Sequence, residues 1–315
     1  MTSPTDPRDH RLTEQRNPDT VDIDLADASG IVELLNRQDR LVPEAVWAVR
    51  HEIARAIEMV ERAFRAGGRL IYVGAGTSGR LGVLDAAECP PTFGSPPEMV
   101  QGIIAGGAAA LIRGAEGAED DFDAGGAAVD AKDARANDVV FGIAASGTTP
   151  YVRGALTRAA ARGAGTVLLS CTDPPSGLLA NVDIAILPKV GPEALTGSTR
   201  MKAGTATKLV LNTVTTGAMI RMGRAYGNLM VDLVALSDKL RDRGERIVME
   251  VCGVERDAAR RAIAGAAGHV KTAIVMLRRH VDGAGAERLL AEAGGSVRGA
   301  VGEPPPPVTR GDPRD

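Results

Sequence analysis

From Val42 onward the apolar positions fall three or four residues apart, at Val46, Val49, Ile53, Ile57, Val60 and Phe64, and the stripe stops at Gly67-Gly68. That spacing predicts one amphipathic helix, with Pro43 a favourable residue in its first turn. The rhythm then changes to short continuous apolar runs: Leu70 to Val73, Val100 to Ala105, Val139 to Ala144, Thr166 to Leu169 and Ile184 to Leu187, each separated from the next by a helical stretch. A strand that is apolar without alternation is covered on both faces, which is the mark of a parallel sheet between helices. The pattern therefore predicts an α/β fold of three layers, α-β-α. A long helical region follows from about Ala203 to Leu240, and then short helices between Ile247 and Val301, with Val254, Ala258, Ile263, Val270, Ile274 and Leu277 as their apolar positions. These read as a small C-terminal helical domain. The expected divisions are a polar N-terminal segment over 1–20, a sheet domain over 21–245, the helical domain over 246–302 and a proline-rich tail over 303–315. The first 20 residues are too polar to bury much surface, and Pro304 to Pro307 suit neither helix nor sheet.

Composition narrows the partners. The 315 residues are 44% hydrophobic and 24% charged, enough for a sizeable core, yet only 3% are aromatic. Base-stacking surfaces are not expected. A net charge of −3 with acids and bases intermixed gives no basic footprint for nucleic acid or an anionic membrane. No run approaches the roughly 20 apolar residues of a membrane span, and Met1 to Thr20 lacks the apolar stretch of a signal peptide. Cys89, Cys171 and Cys252 lie too far apart for a CxxC pair or a disulfide framework, which fits a reducing, cytoplasmic location. His10, His51, His269 and His280 show no metal-binding spacing, so no metal is expected.

The candidate chemistry sits at strand-to-helix turns. After the first strand comes Gly74-Ala75-Gly76-Thr77-Ser78-Gly79-Arg80. Glycines admit an anion close to the backbone, and the N–H groups and dipole of the helix start attract it. The stretch also fits GxGxxG, but a dinucleotide site wants an acid at the end of the next strand, where this chain has Ile103-Ile104-Ala105-Gly106-Gly107. No nicotinamide cofactor is expected. The plain alternative is a tight turn in which Ser78 caps the helix. A second turn, Ala145-Ser146-Gly147-Thr148-Thr149-Pro150, repeats the chemistry, and a third, running from Leu195 through Thr196, Gly197, Ser198, Thr199, Arg200, Met201 and Lys202 to Thr205, adds cations. Hydroxyl turns after strands of one sheet can converge on a single phosphate. Two carboxylates lie nearby in sequence: Glu88, before Pro90 and Pro91, which are expected to end its helix, and Glu119 in Glu116-Gly117-Ala118-Glu119-Asp120-Asp121. Taken singly, either is a solvated or helix-capping acid.

Over Gly68 to Gly82, Asp85 to Thr92, Glu116 to Asp120, Gly142 to Val152, Thr196 to Asn212 and Tyr226 to Asp232 the sequence resembles the N-acetylmuramic acid 6-phosphate etherase family. That family belongs to the sugar isomerase (SIS) fold group and is related to the glucokinase regulatory protein. The resemblance runs from Leu12 to Val301 and implies an SIS domain over 21–245. It also implies cleavage of the D-lactyl ether of an amino sugar phosphate, without cofactor or metal, to N-acetylglucosamine 6-phosphate and D-lactate. In the open-chain aldehyde the C2 proton is acidic; its removal expels the C3 oxygen, and water then adds at C3. One group must take the C2 proton and another must protonate the leaving lactate. By resemblance Glu88 is the acid to lactate and Glu119 acts at C2. Thr77, Ser78, Gly79, Ser146, Gly147, Thr148, Thr149 and Ser198 match phosphate-binding positions. Arg200 and Lys202 match either partners of the lactyl carboxylate or members of a structural ion pair. A homodimer with sites near the subunit boundary is implied. The segment Thr13 to Pro18 recurs in the family, so mobility is expected only for the C-terminal tail. Two other classes stay open: a noncatalytic sugar-phosphate sensor and an aldose-ketose isomerase.

Overall fold

The computed structural model describes residues 11–233 and 238–307. Single 3-10 turns at Leu12–Glu14, Pro18–Thr20 and Ile23–Leu25 lead into helices α1 (Ala28–Asp39), α2 (Val42–Ala48) and α3 (Arg50–Arg65). The stripe predicted as one helix from Val42 is thus two, because the chain leaves helical geometry at Val49 (φ −103°, ψ 22°). Next come β1 (Leu70–Gly74), α4 (Gly76–Phe93), β2 (Val100–Ile104), α5 (Phe122–Ala131), β3 (Val139–Ile143), α6 (Pro150–Ala161), β4 (Gly165–Leu169), α7 (Ser176–Leu179), β5 (Ile184–Ile186) and α8 (Lys202–Arg221). Five more helices follow: α9 (Asp238–Cys252), α10 (Arg256–Gly265), α11 (Val270–Arg279), α12 (Gly283–Glu292) and α13 (Val297–Val301).

All five predicted strands form, and they pair in parallel in the order β2-β1-β3-β4-β5. Strand side chains alternate between faces, which sets the layers. Ile71, Val73, Val140 and Leu168 pack with Val129 of α5 and Val152, Leu156 and Ala159 of α6. The opposite face carries Tyr72, whose ring meets Phe141 edge-on at 5.5 Å, and it receives α4. The three-layer α-β-α architecture predicted for an SIS-type sheet is the one observed.

The chain divides into two compact units: residues up to Ala87 together with Pro97–Thr216, and Glu88–Pro96 together with residues from Gly217 on. The second unit has its own core, in which Ile247, Val248 and Val251 of α9 pack with Val270, Ala273 and Ile274 of α11, Leu290 of α12 and Val297 of α13. This unit begins upstream of the 246 boundary suggested by sequence because Tyr226, Val231 and Leu233 belong to its core. The long helical region expected to Leu240 stops at Arg221, where Gly223 adopts a left-handed φ of 77° that ends a helix at little cost.

Two further expectations are corrected. Pro90 and Pro91 do not end α4, which runs on to Phe93. Their missing N–H groups fall in the closing turn, where few bonds are lost, and the Gly94 N–H donates to the Pro90 carbonyl at 2.9 Å. The N-terminal segment is also not too polar to bury: Thr13, Asn17 and Thr20 are buried, each through hydrogen bonds that satisfy its polar atoms. The tail begins tethered, with the Tyr226 hydroxyl donating to the Glu303 carbonyl at 2.9 Å and Arg278 paired with Glu303. Its remainder, from 308, lies outside the described residues.

Candidate active site

Strand order locates the crevice. The chain leaves β1 for β2 on one side and returns as β3 on the other, so the connections diverge between β1 and β3, and open α/β sheets bind ligands at such a point beyond the strand ends. Gly74 is in register with Ile104 of β2 and Ile143 of β3. The first turn, the second turn and the loop after β2 therefore leave the sheet at one level.

At the first turn, α4 starts only two residues beyond β1. A side chain at Gly79 would bring a Cβ within 2.7 Å of the Gly74 carbonyl oxygen and of Ile104 Cγ1, so only glycine lets the helix start press onto the strand ends. Thr77 and Ser78 are half-buried there. Arg80 is engaged by the protein itself. Its Nη2 donates to the Ala110 carbonyl at 2.7 Å and its Nε to the Leu111 carbonyl at 3.0 Å, tying the loop after β2 to α4. That loop carries Glu119, and a cleft of about 180 Å³ is lined by Gly76, Arg80, Glu116 and Glu119. The exposed Glu119 and the first turn are thus brought together.

The second turn places Ser146 Oγ and Thr148 Oγ1 3.3 Å apart, with Pro150 as the first residue of α6 and no side chain of the Thr149 cap position bonding into that helix. Gly147 sits against Ser170 and Thr172 of the turn after β4. Gly147, Thr148, Arg153 and Thr157 line a second cleft of about 340 Å³. The Arg153 guanidinium stacks over the Phe122 ring at 5.0 Å.

The third turn differs. Glu193, fully buried, accepts from the Lys202 N–H through Oε2 and from the Ala203 N–H through Oε1, both at 2.9 Å. The start of α8 therefore already holds an anion, the chain's own. Lys202 is 1% exposed and its Nζ donates to Gln38 Oε1 at 2.8 Å, so the ammonium is turned away from solvent onto a neutral amide. Burial pushes the Glu193 carboxyl up, against the Ala203 and Lys202 N–H groups, and pushes the Lys202 ammonium down, against the Glu193 charge. Ser198 is half-buried and Arg200 exposed. A Cβ on Gly204 would lie 3.7 Å from Thr77 Cγ2, so the first turn of α8 borders the first hydroxyl turn.

Glu88 is exposed on α4, in the Glu88–Pro96 segment that groups with the helical unit. Three residues earlier on the helix, Asp85 is buried. Its Oδ1 accepts from Asn212 Nδ2 at 2.6 Å and from the Thr215 hydroxyl at 3.2 Å, and its Oδ2 from the Tyr72 hydroxyl at 2.9 Å. Burial raises its pKa, and the bonds from Asn212, Tyr72 and Thr215 oppose that rise. This network pins α4 to β1 and α8. Among the described residues no three His, Cys, Asp or Glu side chains gather as they would around a metal ion.

Comparison with known proteins fixes the family. The glucokinase regulatory protein N-terminal SIS domain model matches residues 52–160. An N-acetylmuramic acid 6-phosphate etherase of Gloeobacter violaceus is 52% identical over 91% of this chain and 94% of its own length. The chain belongs to the N-acetylmuramic acid 6-phosphate etherase family. Another etherase, from Serratia proteamaculans, is 51% identical over 92% of this chain and 97% of its own. Among solved structures, a phosphoheptose isomerase of Neisseria gonorrhoeae is similar at a TM-score of 0.44 and 20% identity, over 60% of this chain and 97% of that one.

In this member of the etherase family, sequence reasoning missed Asp85 and Glu193 as parts of the machinery around the turns. Asp85 carried a weak signal: it lies seven residues, two helical turns, after Ser78, and so on the same face of α4. Nothing local marked Glu193, whose partners lie nine and ten residues ahead across a turn.

Proposed function

We propose that this chain cleaves the D-lactyl ether of N-acetylmuramic acid 6-phosphate, giving N-acetylglucosamine 6-phosphate and D-lactate. The observation that carries this reading is the cleft beyond the ends of β1 and β2, where the start of α4, through Gly76 and Arg80, and the Glu119 carboxylate share one wall. In the proposed reaction the 6-phosphate rests on Ser78, Thr77 and the N–H groups that open α4, with Ser146, Thr148 and Thr149 on its other side. Glu119 takes the C2 proton of the open-chain sugar. The electron pair forms the C2–C3 double bond as the C3–O bond breaks, and Glu88 gives the departing lactate oxygen its proton. Water then adds at C3 as a proton returns to C2, restoring both carboxyl groups. No redox partner enters this balance.

A homodimer is part of the proposal. Leu25, Val32, Leu41 and Trp47, in and around α1 and α2, are 80%, 67%, 51% and 64% exposed, apolar side chains that a second copy would cover. The cytoplasm is the proposed location; no helix among the described residues is long and apolar enough to cross a membrane.

The test is incubation of the purified protein with N-acetylmuramic acid 6-phosphate in isotopically labelled water. Release of D-lactate, with label at C2 and C3 of the sugar, is the expected result. A sensor would bind the sugar phosphate and release nothing. An aldose-ketose isomerase would convert glucosamine 6-phosphate or a hexose 6-phosphate and produce no lactate. Either outcome overturns the reading.

A further inference from the structure

The hydroxyl turns supply neutral donors, yet a sugar phosphate near neutral pH carries up to two negative charges. Of the cations near these turns, Arg80 holds the Ala110 and Leu111 carbonyls, Lys202 is buried against Gln38, Arg200 is exposed at the third turn, and Arg153, which shares a cleft with Thr148, stacks over the Phe122 ring. A cation does arrive from the far end of the chain. Arg11 Nη1 donates to Thr148 Oγ1 at 3.3 Å, and that oxygen lies 3.3 Å from Ser146 Oγ. A guanidinium is thereby delivered to the pair of hydroxyls that the second turn offers.

The delivery is built in. Immediately after Arg11, the Leu12 N–H donates to Thr172 Oγ1 at 3.3 Å, and the fully buried Thr13 accepts from the Gly197 N–H through its carbonyl at 3.0 Å. Asn17 Nδ2 donates to Gln38 Oε1 at 2.8 Å and to the Pro192 carbonyl at 3.0 Å, and the Thr20 hydroxyl donates to the Ala194 carbonyl at 2.8 Å. Residues 11–20 thus form a strap that runs from the second turn, past the turn after β4, to the third turn. Gln38 Oε1 also receives Lys202 Nζ, so the strap shares an anchor with the buried charge at the start of α8.

We propose that Arg11 is a phosphate-binding residue of this site, held over the second turn by the strap, and that it brings a positive charge directly to the Ser146 and Thr148 hydroxyls. This rests on the etherase reading for the identity of the substrate, but not for its chemistry, which requires only a phosphomonoester at Ser146 and Thr148. A guanidinium suits the task because it stays charged at any working pH and donates in a planar fork that matches phosphate oxygens.

The experiment compares Arg11→Ala, Arg11→Lys and Arg153→Ala in the full chain, because Arg153 shares a cleft with Gly147 and Thr148 and is the rival cation for the same turn. For Arg11→Ala, KM for N-acetylmuramic acid 6-phosphate is expected to rise on the order of 10- to 100-fold, the range for a hydrogen bond to a charged group, with kcat changed far less. The inhibition constant of inorganic phosphate should rise by a similar factor, Arg11→Lys should recover part of the loss, and Arg153→Ala should leave both constants near the parent values. Calorimetric titration with N-acetylglucosamine 6-phosphate and with unphosphorylated N-acetylglucosamine runs alongside, so the Arg11 result stands even if the parent releases no lactate. The proposal is overturned if Arg11→Ala lowers Tm while phosphate binding is unchanged, or if Arg153→Ala carries the loss instead.

Discussion

Two turns of this molecule look alike in sequence and do opposite things. Gly74 to Arg80 and Leu195 to Thr205 are both rich in glycine and hydroxyls, and both open a long helix. At the first, the start of α4 faces a cleft that Glu116 and Glu119 also line. At the third, Glu193 fills the start of α8 from inside and Lys202 is drawn in after it. The dipole and the orphan N–H groups of a helix start attract an anion in either case. What differs is who brings it: in the proposed reaction the substrate at α4, and the chain itself at α8. A Gly/Ser/Thr turn before a helix therefore says that an anion is wanted, and only the fold says whether the place is already taken.

If the open turn is the reacting one, the largest effect falls on its carboxylate. Glu119→Gln is expected to lower D-lactate release by roughly 10²- to 10⁴-fold, the usual contribution of a general acid or base, while Tm stays near the parent value because the side chain is exposed. Glu88→Gln should lose lactate release to a similar degree yet keep solvent exchange at C2, which separates the acid from the base. Loss of exchange in Glu88→Gln with retention in Glu119→Gln would invert their roles.

The plugged turn should respond in stability instead. Glu193→Ala strips the Lys202 and Ala203 N–H groups of their acceptor and removes a negative charge that favours the buried Lys202 ammonium. A loss of about 3–5 kcal/mol is expected, equivalent to a fall in Tm on the order of 10 °C. Denaturant unfolding checks it. A Glu193→Ala protein that unfolds like the parent would mean that α8 does not depend on its internal anion, and the comparison would fail.

At the open turn a single donor is worth less. Ser78→Ala should raise KM roughly 10- to 100-fold through the lost bond to phosphate, with kcat little altered, in steady-state lactate assays. The same change would be nearly silent in KM if Ser78 only capped α4, since the cost would then appear as about 0.5 to 2 kcal/mol of stability.

The fold was legible because its signals are local. Continuous apolar runs marked all five strands, and Gly67-Gly68 marked the end of α3. The corrections arise where a distant partner decides. Val49 interrupts a flawless helical stripe, α4 absorbs Pro90 and Pro91 in its closing turn, and the polar N-terminal segment is buried by acceptors at Thr172, Pro192 and Ala194. Of the candidate site, what was legible is that its first two turns follow strands and open helices. Arg80 and Lys202 show the limit: both are cations beside a phosphate-type turn, and what they bind is a carbonyl pair and a buried glutamine, neither of which has a sequence signature.

The smallest effect is the pH dependence of the plugged turn, and its sign follows from burial. Glu193 has its pKa raised in the folded protein, so the folded state holds that proton after the unfolded chain, near its ordinary value of 4.5, has released it. Its contribution to stability is full below that ordinary value and declines as pH rises through the raised one. Lys202 is lowered from 10.5, so as pH falls through that value the unfolded chain takes up a proton before the folded one does, and stability declines in that direction. Other carboxylates, such as Asp138 held low by Arg69 despite its burial, pull the whole protein the opposite way in acid. The difference between Glu193→Gln and the parent isolates the one group, because both proteins share every other carboxylate. Plotted from pH 4 to 7, the parent's stability relative to Glu193→Gln should decrease as pH rises above the ordinary value, with a slope no steeper than about 1.4 kcal/mol per pH unit, the limit set by a single proton. A relative stability that increased with pH across that window would show a carboxylate stabilised in its charged form, so that the two N–H bonds outweigh the cost of burial at the plugged turn.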